Sequence, residues 1–261
     1  MLRIEPIPAF ADNYIWLLGA ATGGDGRVAV VDPGDAEPVV ERLRAQNLSL
    51  SAILLTHHHY DHQGGVADLL ACWPDALVAA PEDRRIGRAT LRVGEGDQVA
   101  PPGLDVVFRV LAVPGHTATH IAYLADGALF CGDTLFAGGC GRVFDGSFEQ
   151  LAASLRRIAA LPPDTRCYCA HEYTLANLGF AQWAEPQNPE LIARIAAARE
   201  LRARGEPTVP SALSLELATN PFLRTAVPAV IAAAEGFAGA PLNDETAVFT
   251  ALRRWKDERY D

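Results

Sequence analysis

Cysteine is scarce in this chain: only five occur in 261 residues (Cys72, Cys131, Cys140, Cys167 and Cys169), an odd number with no CxxC spacing. A disulfide framework is therefore a poor expectation, and a reducing compartment fits. Cys167 and Cys169, in TRCYCAH, alternate as on a buried strand rather than standing as thiolate ligands. Long apolar runs are missing too. None approaches the roughly 20 residues that a bilayer-spanning helix needs. The opening MLRIEPIPAFADNY has no basic start followed by an apolar core, so the chain reads as cytoplasmic, with neither a signal nor a span. Positive charge is short: 22 Lys and Arg against 32 Asp and Glu leave a formal net charge of −10, with no basic stripe to displace counterions from nucleic acid or an anionic membrane. An acidic chain that binds an anion must do so with a few local cations. No internal repeat or low-complexity tract stands out.

What is present is an ordinary globular composition, 49% hydrophobic and 21% charged, enough for one large domain or a domain with an appendage. Up to about residue 172 the pattern is of short strands closed by Gly, Pro or Asp: residues 14–20, 27–34, 51–56, 76–81, 105–115, 120–125, 128–133 and 166–171. Helical segments lie between them, DAEPVVERLRAQ opening on a capping Asp35, HQGGVADLLACW, and SFEQLAASLRRIAAL with Ser147 as N-cap. Beyond 172, four segments rich in Ala, Leu, Arg and Glu carry helical periodicity and no convincing strand. The expected architecture is α+β, with a layered αββα domain over 1–172 and a small helical domain over 173–261.

Histidine is also rare, seven in all, yet His57, His58, His59 and His62 crowd into LLTHHHYDHQGG directly after a buried strand, with Asp61 among them. The other three, His116 and His120 in PGHTATH and His171 in CAHEY, also follow predicted strands, and ALFCGDT delivers Asp133 at a fourth strand end. Strand ends on one sheet edge are where a fold sets chemistry on rigid support. In an extended segment His57 and His59 point to one side and His58 to the other. Asp61 and His62 come after the chain turns into a helix and face a neighbouring point. One metal would take His57, His59 and a remote histidine, a second Asp61, His62 and another, with a shared carboxylate between them. Gly64 and Gly65 permit close approach of that helix to the sheet.

THHHYDHQGG resembles the THxHxDH signature of the metallo-β-lactamase superfamily. PGHTATH, CGDTLFAGGCGR, AHEYTLANLGFA, ATNPFLR and LRRWKD, in order along nearly the whole chain, resemble the hydroxyacylglutathione hydrolases (glyoxalase II enzymes) within it. The resemblance implies that His57, His59 and His116 hold one metal, that Asp61, His62 and His171 hold the other, and that Asp133 bridges. It places glutathione against Arg142, Tyr173, Arg253 and Lys256. Phe144 stands where some members carry a tyrosine, and Arg142 where others have lysine, which keeps the charge and changes the geometry. His120 and Asp32 are candidates to support a ligand or simply to serve strand and turn.

The nitrogen and oxygen ligand set suits zinc first, and iron or manganese also. The implied reaction is attack on a thioester carbonyl by a metal-bound hydroxide held by Asp133, Asp61 and His62, releasing D-lactate and glutathione from S-lactoylglutathione. The implied partner is this small molecule, acted on by a monomer. The rivals are a one-iron sulfur dioxygenase, a lactonase, β-lactamase or phosphodiesterase of the same superfamily, and a binding protein that keeps its metals for structure.

Overall fold

The computed structural model describes residues 2–22 and 24–260, whose contacts group into two compact units: residues 1–112 with 119–132, and residues 113–118 with 133–261.

The first unit opens with β1 (Leu2–Ala9), β2 (Asn13–Ala20) and β3 (Arg27–Val31), followed by α1 (Glu37–Ala45), β4 (Ser49–Leu54), α2 (Tyr60–Gln63), α3 (Val66–Cys72), β5 (Leu77–Pro81) and β6 (Leu91–Val93). These strands form a six-stranded sheet in simple order, antiparallel from β1 to β3 and parallel from β3 to β6. Val30, Ile53 and Val78 from its strands pack with Val39 and Leu43 of α1 and Leu69 of α3 in one core. Each such side chain contributes about 1.5–3 kcal/mol on burial. Asp32 and His57 lie just beyond the C-terminal ends of the parallel strands β3 and β4. The unit continues with β7 (Gln98–Val99), β8 (Phe108–Ala112), β9 (Ile121–Ala125) and β10 (Ala128–Gly132), paired antiparallel in succession. Asp126 and Gly127, both at positive φ, make the tight turn between β9 and β10.

The second unit holds β11 (Leu135–Phe136), β12 (Gly139–Cys140), α4 (Phe148–Ala159), β13 (Arg166–Cys169), α5 (Thr174–Ala184), α6 (Pro189–Ala203), β14 (Ser211–Ala212), α7 (Leu213–Thr219), α8 (Pro228–Ala238) and α9 (Glu245–Arg259). Leu178 and Ala181 of α5 pack on Leu191, Ile195 and Ala198 of α6. Ser147 caps α4 as expected, accepting from the Gln150 amide at 3.2 Å. At α1 the N-cap is Ala36, one residue later than expected, although the Asp35 carboxylate still accepts from the Glu37 amide at 3.0 Å. The sequence pattern misses β1, the short strands β6, β7, β11 and β12, the helix α7, and the short β14, which falls in the region read as helical only.

Candidate metal centre

In the first unit, Asp32 leaves β3 in the left-handed region at φ 52° and turns its carboxylate back over β4. It accepts from the Thr56 amide at 2.8 Å and from the Thr56 hydroxyl at 2.7 Å. That hydroxyl spends its one proton on Asp32, so towards His57 Nδ1, 3.0 Å away, it can only accept. The ring proton of His57 thus sits on Nδ1, and Nε2 keeps its lone pair. The Asp32 carboxylate itself, 3.1 Å from His62 Nδ1, imposes the same tautomer on His62. Asp32, which the sequence left between turn and support, therefore orients two candidate ligands.

Both Nε2 atoms face a neighbouring candidate ligand. His57 Nε2 lies 3.0 Å from His59 Nδ1, and His62 Nε2 lies 3.4 Å from Asp61 Oδ2. Asp61 is further held by Asn13, whose amide donates to its carboxylate at 3.1 Å and to its carbonyl at 3.3 Å. Nothing in ADNY signals that role. Close packing behind these residues needs glycine: a Cβ on Gly34 would fall 1.9 Å from the Asp61 carbonyl oxygen, and one on Gly65 2.6 Å from the Ala36 nitrogen. His58 turns away, its Nδ1 3.5 Å from Asp83, and His120 stacks on the His57 ring at 4.6 Å. His58 thus points away from His57 and His59, as the extended spacing predicts.

In the second unit, His116 Nδ1 donates to the Arg142 carbonyl at 2.7 Å, which again leaves Nε2 with the lone pair. That Nε2 faces one oxygen of Asp133 at 3.5 Å, while His171 Nε2 faces the other at 3.4 Å. Asp133 thus presents one carboxylate oxygen to each of two imidazoles. His116, Asp133 and His171 are all buried. Gly141 lets the chain pass, since a Cβ there would lie 2.0 Å from the Asp133 carbonyl oxygen. No cysteine is among the candidate ligands. Burial pushes the Cys140 thiol up to about 11 and the Cys169 thiol up to about 12.

The residues expected to meet glutathione are disposed unequally. Tyr173 stacks flat on His171 at 4.6 Å, and Phe144 sets its exposed ring edge-on to His116 at 5.1 Å. Arg142 leaves half its side chain in solvent. Arg253 is wholly buried: it donates to the Cys140 carbonyl at 3.0 Å and to Asp257 at 2.8 Å, with its guanidinium 5.4 Å from the Phe222 ring centre. Lys256 is 6% exposed. The loop from Ala137 to Cys140 is clamped by polar residues to which the sequence assigns no role. Asn177 donates to the Ala137 carbonyl at 3.2 Å, Asn220 to the Gly139 carbonyl at 2.9 Å, and Glu216 accepts from the Gly138 amide at 2.8 Å.

Comparison with known proteins fits these features. The profile of the metallo-beta-lactamase superfamily matches residues 11–171, and that described as "Hydroxyacylglutathione hydrolase C-terminus" matches residues 172–259. A hydroxyacylglutathione hydrolase of Alkalilimnicola ehrlichii is 58% identical, over 99% of this chain and all of that one. The chain belongs to the hydroxyacylglutathione hydrolase family. It is thus a hydrolase with the metallo-β-lactamase fold. A second family member, from Xanthomonas axonopodis, is 51% identical over 98% of this chain and 99% of its own length. Among solved structures, TTHA1623, determined in a di-iron-bound form, superposes with a TM-score of 0.60 at 27% identity, covering 84% of this chain and all of that one. ETHE1 from Myxococcus xanthus gives 0.57 at 26% identity, covering 84% of this chain and 96% of its own.

The donor set fits divalent metal ions. Its atoms are imidazole nitrogens and carboxylate oxygens with no thiolate, and the Nε2 lone pairs of His62 and His116 face carboxylate oxygens at 3.4 and 3.5 Å, an arrangement that repels unless a cation lies between them.

Proposed function

We propose that this protein hydrolyses S-(2-hydroxyacyl)glutathione thioesters, S-D-lactoylglutathione foremost, to the 2-hydroxy acid and glutathione, as a step in methylglyoxal detoxification. The reading carries over the seven ligand positions: His57, His59 and His116 for one ion, Asp61, His62 and His171 for the other, and Asp133 for both. Two bound cations, zinc in the first instance, supply Lewis acidity and lower the pKa of water from 15.7 towards about 7. Water adds its oxygen to the acyl carbon, the C–S bond breaks, and the sulfur leaves as thiolate and takes up a proton. Around this step the chain's residues fix positions. Asp32 and Thr56 hold the tautomers of His57 and His62, the Arg142 carbonyl holds that of His116, and Asn13 holds Asp61. Arg142, Tyr173, Arg253 and Lys256 receive the glutathione part, Tyr173 from its place against His171. Residues 1–172 form the catalytic domain and 173–261 complete the substrate site, in a cytoplasmic monomer. No helix among the described residues is long and apolar enough to cross a membrane.

The observation that carries this reading is Asp133, one oxygen towards Nε2 of each of two buried histidines. The test is hydrolysis of lactoylglutathione beside a simple lactone, a β-lactam and a phosphodiester. Rapid thioester cleavage, lost on chelation and restored by zinc, iron or manganese, is expected. A preparation that holds metal yet cleaves one of the other substrates faster would contradict it.

A further inference from the structure

Asp257 is the one acidic residue in LRRWKD, and the chemistry above makes no use of it. Its Oδ1 lies 2.8 Å from Nη2 of Arg253, one helical turn earlier on α9, and 3.5 Å from Nε of Arg142. Arg253 in turn holds the Cys140 carbonyl at 3.0 Å, two residues before Arg142 in the chain. A single carboxylate thus closes a circuit from α9 through the buried guanidinium to the loop and back through the exposed one. Two guanidinium groups this close would otherwise repel. Asp257 meets Arg142 on its Nε side, and half of that side chain stays in solvent, where a second carboxylate can reach the guanidinium.

We propose that Asp257 is a positioning residue for substrate recognition: it sets the Arg142 guanidinium to receive a carboxylate of the peptide part of the thioester. The inference rests on the thioester reading above, and it makes a claim about sign. If Asp257 were only a negative charge beside an anion site, removing it would tighten binding, because like charges within a Debye length repel. If it positions Arg142, removing it weakens binding although the site becomes more positive.

The experiment measures kcat and KM for lactoylglutathione in wild type, D257N, D257E, R142A and R142A/D257N, with thermal unfolding of each. D257N is expected to raise KM about threefold to tenfold, the range of a partly lost charge-assisted hydrogen bond, with kcat within about twofold of wild type. D257E should recover part of that loss, and D257N should add little to R142A, because both act through one guanidinium. A lowered or unchanged KM in D257N, or additive effects in the double variant, would overturn the proposal. If D257N fails to fold, D257S takes its place under the same criteria. Failure of the thioester reading itself is distinguishable, since it appears as absent turnover in the wild type.

Discussion

At the scale of single residues, the candidate ligands were legible because histidine is rare here and concentrated after strands, so clustering could not pass for composition. Their supports were less so, Asp32 and His120 being readable only as one of two alternatives and the others not at all. Asp32 sits in a DPG turn that any loop might use, and its hold on Thr56 and His62 exists only once β3 and β4 lie side by side. Asn13 reaches Asp61 across 48 positions of sequence, a contact no local pattern encodes. Asp83 is a third such residue. It accepts from the Arg85 amide and guanidinium and from the Thr119 hydroxyl, and it faces His58 at 3.5 Å, so it braces the histidine loop from behind. The Arg85 hydrogen bond holds its carboxyl far below the usual carboxylate range, against the opposing pull of burial. A depressed folded-state pKa adds stability that is fully present above the unfolded value of about 3.9 and is lost as pH falls towards the folded one. Asp83→Asn should therefore cost about 1–3 kcal/mol between pH 5 and 8, the range for a buried charged hydrogen-bond partner, and the gap from wild type should shrink below about pH 4. Denaturant titrations across pH check this. A gap that is absent at pH 7, or constant to pH 3, would assign the stability elsewhere.

At the scale of elements, alternating and apolar runs located β2 to β5 and β8 to β10, while β1 went unread. LRIEPIPA carries Pro6 and Pro8, which cannot donate to a ladder, and prolines argue against a central strand. The structure places β1 at the edge of its sheet, where it pairs with β2 alone, so the missing donors cost little. The clamp on the 137–140 loop was equally hidden, since its parts come from α5, α6, α7 and the residues beside them. Glu216 is its centre. Completely buried, it accepts from Gly138, Ser211, Arg194 and Asn220. Glu216→Ala leaves the Arg194 guanidinium buried without its anion and should lower stability by about 3–5 kcal/mol. Equilibrium unfolding by urea measures it, and a loss under 1 kcal/mol would show that the network is not under tension from burial.

At the scale of the whole molecule, the sequence resemblance and the family membership agree over nearly the full length, and the hydrolase activity follows from that membership rather than from composition. Net charge of −10 bears on function only by exclusion and by contrast: recognition of an anionic thioester depends on a few cations set against an acidic background. Which cations are exposed was not legible, because helical periodicity in LRRWKD does not reveal that Arg253 lies wholly inside, and nothing in GGCGR reveals that Arg142 lies half outside. The central claim is that Asp133 is shared by two ions, and metal content measured together with lactoylglutathione turnover, in wild type and Asp133→Ala, tests it most directly. Close to two transition-metal ions per wild-type chain are expected, with both ions loosened and turnover nearly abolished in the variant. Full wild-type activity with one ion per chain, or an Asp133→Ala variant that keeps two ions and its rate, would contradict it.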